Sequence, residues 1–137
     1  EISRDGAPAL IEDAHAAGSL VIGSFHDFDA TPSDDQLAEV LADMNYAGAD
    51  VLKFACMATS ATDAARVIGA QAWAREAYDR PVIGIAMGPS GAPTRLVGSA
   101  LGCAATFATL PGSEGSAPGQ FTIEQVRTVL DIIEAQR

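Results

Sequence analysis

Residues 49–57 read Ala49-Asp50-Val51-Leu52-Lys53-Phe54-Ala55-Cys56-Met57, an apolar run with one cation inside it. An apolar run of this length, bounded by polar and turn residues, is the signal of a buried strand. Lys53 is the only lysine of the chain; the other basic residues are arginines, so lysine is not used here as a general solubilising charge. Burying an ammonium is costly unless a partner compensates it or its pKa falls. A lowered pKa is what an amine needs to attack a carbonyl at neutral pH, and arginine cannot do that chemistry. The competing reading is a strand-end lysine whose head snorkels to water.

Outward from this strand the chain alternates helical and strand patterns with short connections. On the N-terminal side, residues 6–17 read as a short helix with Pro8 early and Gly18 as its stop. Leu20 to Phe25 reads as a strand opening on His26-Asp27-Phe28. Thr31-Pro32-Ser33-Asp34 then supplies an N-cap for a helix over 36–47, with Leu37, Val40, Leu41 and Met44 on one face. On the C-terminal side, residues 60–78 read as a long helix capped by Thr59 or Ser60 and stopped by Pro81. Val82 to Ala86 reads as a strand, Met87 to Gly91 as a turn, 93–101 as a helix, 104–108 as a further strand, and 122–135 as the last helix. Strands alternating with helices of 10–20 residues mean parallel βα units, either in an open doubly wound sheet or in part of a (β/α)8 barrel. In both architectures the site lies at the carboxyl ends of the strands, where His26, Lys53, Met87-Gly88 and the stretch after Phe107 are expected. Val21, Ile22, Val51, Leu52, Ile83 and Ile85 are the expected core.

Composition narrows the function classes. The chain has 137 residues, 48% of them hydrophobic, which suits one packed globular domain. Its net charge of −10 argues against nucleic acid or an anionic membrane as a main partner. An anionic ligand would need the few cations gathered at its site. Cys56 and Cys103 are far apart, form neither a metal-binding pair nor a disulfide framework, and read as small hydrophobes. No stretch is long and apolar enough to span a bilayer and no secretory pattern is present, so a cytoplasmic protein is expected. No Gly-x-x-x-x-Gly-Lys-Ser/Thr or Gly-x-Gly-x-x-Gly loop occurs, and no His/Asp/Glu cluster has metal spacing.

Five motifs run in order along the chain. They are Ser24-x-His26-Asp27-Phe28-x-x-Thr31-Pro32, Gly48-Ala49-Asp50-x-x-Lys53, Met87-Gly88-x-x-Gly91-x-x-Thr94-Arg95, Gly102-x-x-x-Thr106-Phe107, and Ser116-Ala117-Pro118-Gly119-Gln120. In this order and spacing they resemble the type I 3-dehydroquinate dehydratases, the Schiff-base dehydroquinases of the shikimate pathway. Thr94 stands where that family usually has serine, and Gly102-Cys103 where it often has Gly-Ser; neither change removes a catalytic group. The resemblance implies the C-terminal half of a (β/α)8 barrel over residues 1–137, with Glu1 at the end of the family's fourth strand and residues 111–119 as a lid loop. It also implies a homodimer for the complete protein.

The resemblance further implies that Lys53 forms an imine with the ketone of 3-dehydroquinate and that His26 is the general acid/base, with no metal or external cofactor. The iminium is an electron sink that acidifies the neighbouring carbon, and an imidazole titrates in the range that proton exchange needs. Arg95 would grip the substrate carboxylate with its planar fork. Ser116 and Gln120 would hydrogen-bond the substrate from the lid, and Met87 and Phe107 would wall the pocket. Each residue also has a plainer reading: a capping or core histidine, a surface loop, ordinary core. A helix-surface ion pair suits Arg66, Arg75 and Arg80 better than Arg95. His15 reads as a mid-helix surface residue, and Asp27 and Asp50 as structural hydrogen-bond partners. Two alternatives to the dehydratase stand beside it: another Schiff-base lyase of class I aldolase type, and a partial barrel that binds without turnover. The second has weight because the family orients its histidine with a glutamate from the front half of the barrel.

Overall fold

Three apolar runs pair as one parallel sheet, and their alternation decides what each face meets. The computed structural model describes residues 6–136. In it α1 (Ala7–Ala16) leads to β1 (Ile22–Asp27), α2 (Asp34–Tyr46), β2 (Val51–Met57), α3 (Ala61–Ala77) and β3 (Val82–Met87). The strands lie in the order β1-β2-β3, with Ser24 opposite Lys53 and Lys53 opposite Ile83 in the ladder. Both crossovers advance the same way, and parallel crossovers share one hand, so their helices lie on one face of the sheet. There Leu52, Phe54 and Cys56 of β2 and Val82 and Ala86 of β3 pack against Leu37 and Leu41 of α2 and Val67 and Ala74 of α3. Each large side chain buried in this layer is worth about 1.5–3 kcal/mol. The alternate residues Ala55, Ile83, Ile85 and Met87 form a second apolar cluster on the opposite face. Because strand side chains alternate, Lys53 belongs to this second face.

Local signals account for the helix ends. Ser33 and Gln36 form a capping box on α2, and Ser60 and Asp63 form one on α3, so each first turn has its amide groups satisfied. Helix and strand also approach closely at Gly84, where an added Cβ would sit 2.8 Å from the Phe54 ring and 2.9 Å from Gln71 Oε1.

After β3 the chain is less regular than the sequence suggests. The expected turn at 87–91 contains a short helix, α4 (Gly88–Gly91), and the helix expected over 93–101 is two pieces, α5 (Thr94–Val97) and a 3-10 turn (Gly98–Leu101). Gly102, at φ 83°, ends that turn in the left-handed region. The strand expected at 104–108 does not form. Ala104 N–H donates once to the Val82 carbonyl at 2.8 Å, and the next bridge is Thr109 with Thr122. Three alanines in these five residues offer little side-chain surface for a strand pairing. The last helix, α6 (Ile123–Glu134), is capped by Thr122 and Gln125 and packs against α5. The strand end expected at residues 1–3 lies outside the described residues.

Two further expectations need correction. Ile22, expected in the core, is 53% exposed because no strand pairs with the outer edge of β1 among the described residues. Lys53 lies in the interior of β2, since that strand continues to Met57. No helix among the described residues is long and apolar enough to cross a membrane.

Candidate active site

Lys53 is carried by the middle strand and is only 9% exposed. Its Nζ lies 2.7 Å from His26 Nε2 and donates to Ser24 Oγ at 2.9 Å. The ladder explains the trio: Ser24 is the register partner of Lys53, and His26 stands two residues further along β1 on the same face. A lysine side chain leaning along its strand reaches that level, so interior Lys53 still acts near the carboxyl end. Burial lowers the pKa of its ammonium, and the Arg95 guanidinium adds to the effect. The ammonium also lies 5.6 Å from the centre of the Phe107 ring. His26 stacks on Phe28, the rings 5.9 Å apart and nearly parallel.

Lys53, His26, Arg95, Met87, Phe107, Ser116 and Gln120 all line one cavity of about 220 Å³. Arg95 reaches it from α5 and is 4% exposed; its Nε has no hydrogen-bond partner among the described residues. Burial lowers the pKa of its guanidinium too, though arginine remains charged at any ordinary pH. The cavity thus combines a buried amine, an imidazole beside it, and a guanidinium with a donor to spare. That set can bind an oxo-anion, attack a carbonyl and move a proton. Ser116 and Gln120 come from the 111–120 loop and clip each other: Ser116 N–H donates to Gln120 Oε1 at 2.9 Å, and Gln120 Nε2 donates to Ser116 Oγ at 3.0 Å.

Ser24, Phe28, Ala55, Ile85 and Ala117 also belong to this site. Ser24 and Phe28 stand in the His26 motif, and period-two alternation from His26 puts both on its face; that was the available signal. Ile85, read from the sequence as core, is both buried and part of the cavity wall.

Other polar residues act as scaffold. Asp27 accepts from the amides of Asp29 and Ala30, turning the chain after β1. Asp50 accepts from Val21 N–H at 2.7 Å and pairs with His15 Nε2 at 2.8 Å, so His15, though exposed, ties α1 to the start of β2. Those bonds, the Val21 amide first, lower the pKa of the Asp50 carboxyl. Arg66 makes the expected surface pair, with Asp34 at 3.3 Å. Arg80 instead donates to Asn45 Oδ1 and the Ala49 carbonyl, because it follows α3 and faces the loop before β2. Cys56 is fully buried, and burial, with some help from Asp27, pushes its thiol up to about 12. No group of three or more His, Cys, Asp or Glu side chains among the described residues could hold a metal ion.

A sequence model of type I 3-dehydroquinase matches residues 1–137. The chain belongs to the type I 3-dehydroquinase family. Among its relatives, a 3-dehydroquinate dehydratase of Klebsiella pneumoniae subsp. pneumoniae is 42% identical over 126 residues, which is 91% of this chain and 49% of that protein. One from Alkaliphilus oremlandii is 42% identical over 134 residues, covering 95% of this chain and 51% of the other. In three dimensions the chain superposes on 3-dehydroquinate dehydratase from Geobacillus kaustophilus with a TM-score of 0.89 at 36% identity, over 94% of this chain and 49% of that one. The type I 3-dehydroquinate dehydratase of Clostridium difficile, solved with covalently modified comenic acid, gives a TM-score of 0.89 at 30% identity, over 98% and 53%. These dehydroquinases are (β/α)8 barrels, and this chain spans about half the length of the relatives it matches.

Proposed function

We propose that this chain carries the imine-forming and proton-transferring part of a 3-dehydroquinate dehydratase, the shikimate-pathway enzyme that converts 3-dehydroquinate to 3-dehydroshikimate and water. One observation carries the reading: a buried Lys53 whose pKa is lowered lies 2.7 Å from the imidazole of His26. Neutral Lys53 Nζ adds to the substrate ketone carbon, and loss of water leaves a protonated imine. That cation withdraws electrons from the adjacent carbon, whose proton His26 removes. The electron pair returns through the enamine as the β-hydroxyl leaves, taking a proton from His26, and hydrolysis of the imine then frees Lys53. Arg95 supports the assignment as a buried cation that lines the same cavity, suited to the substrate carboxylate.

The test is borohydride reduction in the presence of 3-dehydroquinate followed by peptide mass analysis. We expect the reduced ligand on the peptide containing Lys53 and none when Lys53 is replaced by methionine. An adduct on another residue rules the proposal out.

A second reading, a partial barrel that binds without efficient turnover, is favoured by the exposure of Ser24 on the side of β1 that no strand covers among the described residues. Water reaching Lys53 from that side weakens the electrostatics on which the chemistry depends. An adduct at Lys53 without accumulation of dehydroshikimate supports this reading.

A further inference from the structure

The 111–120 loop is joined to the rest of the chain in two different ways. At its base, Thr109 N–H donates to the Phe121 carbonyl at 2.8 Å and Ile123 N–H donates to the Thr109 carbonyl at 2.9 Å. Beyond that base and the bonds from Ser113 to the adjacent Leu110 carbonyl, two polar attachments of the loop end on one atom, the Pro118 carbonyl oxygen. It accepts from Gly88 N–H at 3.3 Å and from Arg95 Nη2 at 3.3 Å. Both bonds are long, as suits a contact that must open. The backbones touch at the same place. A Cβ added at Gly119 would lie 2.7 Å from the Gly88 carbonyl oxygen, and both glycines have positive φ. The Ser116–Gln120 clip braces the segment around Pro118, and Ala117 packs on the inner apolar face of the sheet.

We propose that Arg95 is a latch for this loop, holding it over the cavity through the Pro118 carbonyl, so that anion capture and loop seating act through one guanidinium. The guanidinium carries five N–H donors, which makes the two roles compatible: an anion can take others while Nη2 keeps the carbonyl. An anion that fixes the guanidinium therefore also steadies the loop, and a seated loop by linkage favours the anion. The coupling rests on the reading of Arg95 as the carboxylate-binding group; the latch does not.

Glu114 lies exposed in the loop, and Glu76 in α3 serves as an internal control. A glutamate-specific protease should cut after Glu114 about 3- to 10-fold faster in ligand-free Arg95→Met than in the parent chain, the range expected from losing one hydrogen bond. Cleavage after Glu76 should not change. Gly119→Ala, which keeps Arg95 but blocks the backbone contact, should accelerate the same cut. Adding 3-dehydroquinate should slow the Glu114 cut in the parent and leave it unchanged in Arg95→Met. An unaltered Glu114 rate in folded Arg95→Met overturns the latch. Where Arg95→Met also accelerates the cut after Glu76 through unfolding, an unaltered Glu114 rate in Gly119→Ala overturns it instead. Equal protection by 3-dehydroquinate in parent and Arg95→Met overturns the coupling. The borohydride adduct at Lys53 is read separately, so a missing adduct with a loosened loop counts against the dehydratase and for the latch.

Discussion

At Lys53 the chain places a cation where burial and the neighbouring Arg95 both disfavour charge. A base whose folded pKa lies below its unfolded value costs stability while it stays protonated. That cost is full below the folded pKa and fades as pH climbs toward the ordinary lysine value of 10.5. Lys53→Met should therefore melt at a higher temperature than the parent at neutral pH, each kcal/mol being worth about 4 °C at this chain length. The advantage should narrow as pH rises from neutral into the alkaline range; a constant difference, or a lower melting temperature at neutral pH, contradicts the argument. His26 gives a complementary expectation. In a complete barrel carrying these residues, His26→Ala should still yield the reduced adduct at Lys53 while turnover falls about 10²- to 10⁴-fold. Near-normal turnover would remove His26 from proton transfer. Lys53, His26 and Arg95 were legible in the sequence because each is a rare or isolated type within a motif. Ser24 and Phe28 stood in the same motif and on the face of His26, but a serine and a phenylalanine are common in strands. Only the structure shows the bond from Lys53 to Ser24 and the stack of Phe28 on His26.

At the scale of elements, the legible features were those decided locally. Ser33 and Ser60 announce their helices because a capping hydroxyl and its partner lie three residues apart in the chain. The 104–108 segment misled because whether it pairs depends on neighbours that local pattern does not specify, and β3 holds it through a single amide. The seam between α3 and the sheet is likewise a matter of distances. Gly84 lets Phe54 and Gln71 close over it, and a methyl there would force both to shift. Gly84→Ala should cost about 1–3 kcal/mol, the range for overpacking a filled interior. Ser60→Ala should cost about 1 kcal/mol by removing one cap. Chemical denaturation of the two variants checks both values, and a neutral Gly84→Ala would mean that the seam has slack.

For the molecule as a whole, the decisive feature is the outer side of β1. Leu20 is 83% exposed and Ile22 53%, and next to them α1, α2 and β1 enclose a hollow of about 400 Å³. No strand pairs with this edge among the described residues, and such an edge with apolar residues along it is a template for another strand. Produced as a separate chain, residues 1–137 should therefore self-associate, with weight-average mass rising with concentration in sedimentation. Ile22→Lys should suppress that association, because a charge on an edge strand opposes pairing. The same edge bears on the site, since Ser24 on β1 is exposed while its partner Lys53 is buried. Covering β1 would remove water from beside Lys53 and lower its pKa further, raising the fraction of neutral amine at pH 7. A second polypeptide that supplies the other half of a relative's barrel should thus do two things at once. It should abolish self-association, and it should accelerate formation of the borohydride-trapped adduct at Lys53. Association abolished with an unchanged trapping rate would show that the edge governs assembly alone, and that the depressed pKa of Lys53 is set by burial and Arg95 within the described residues.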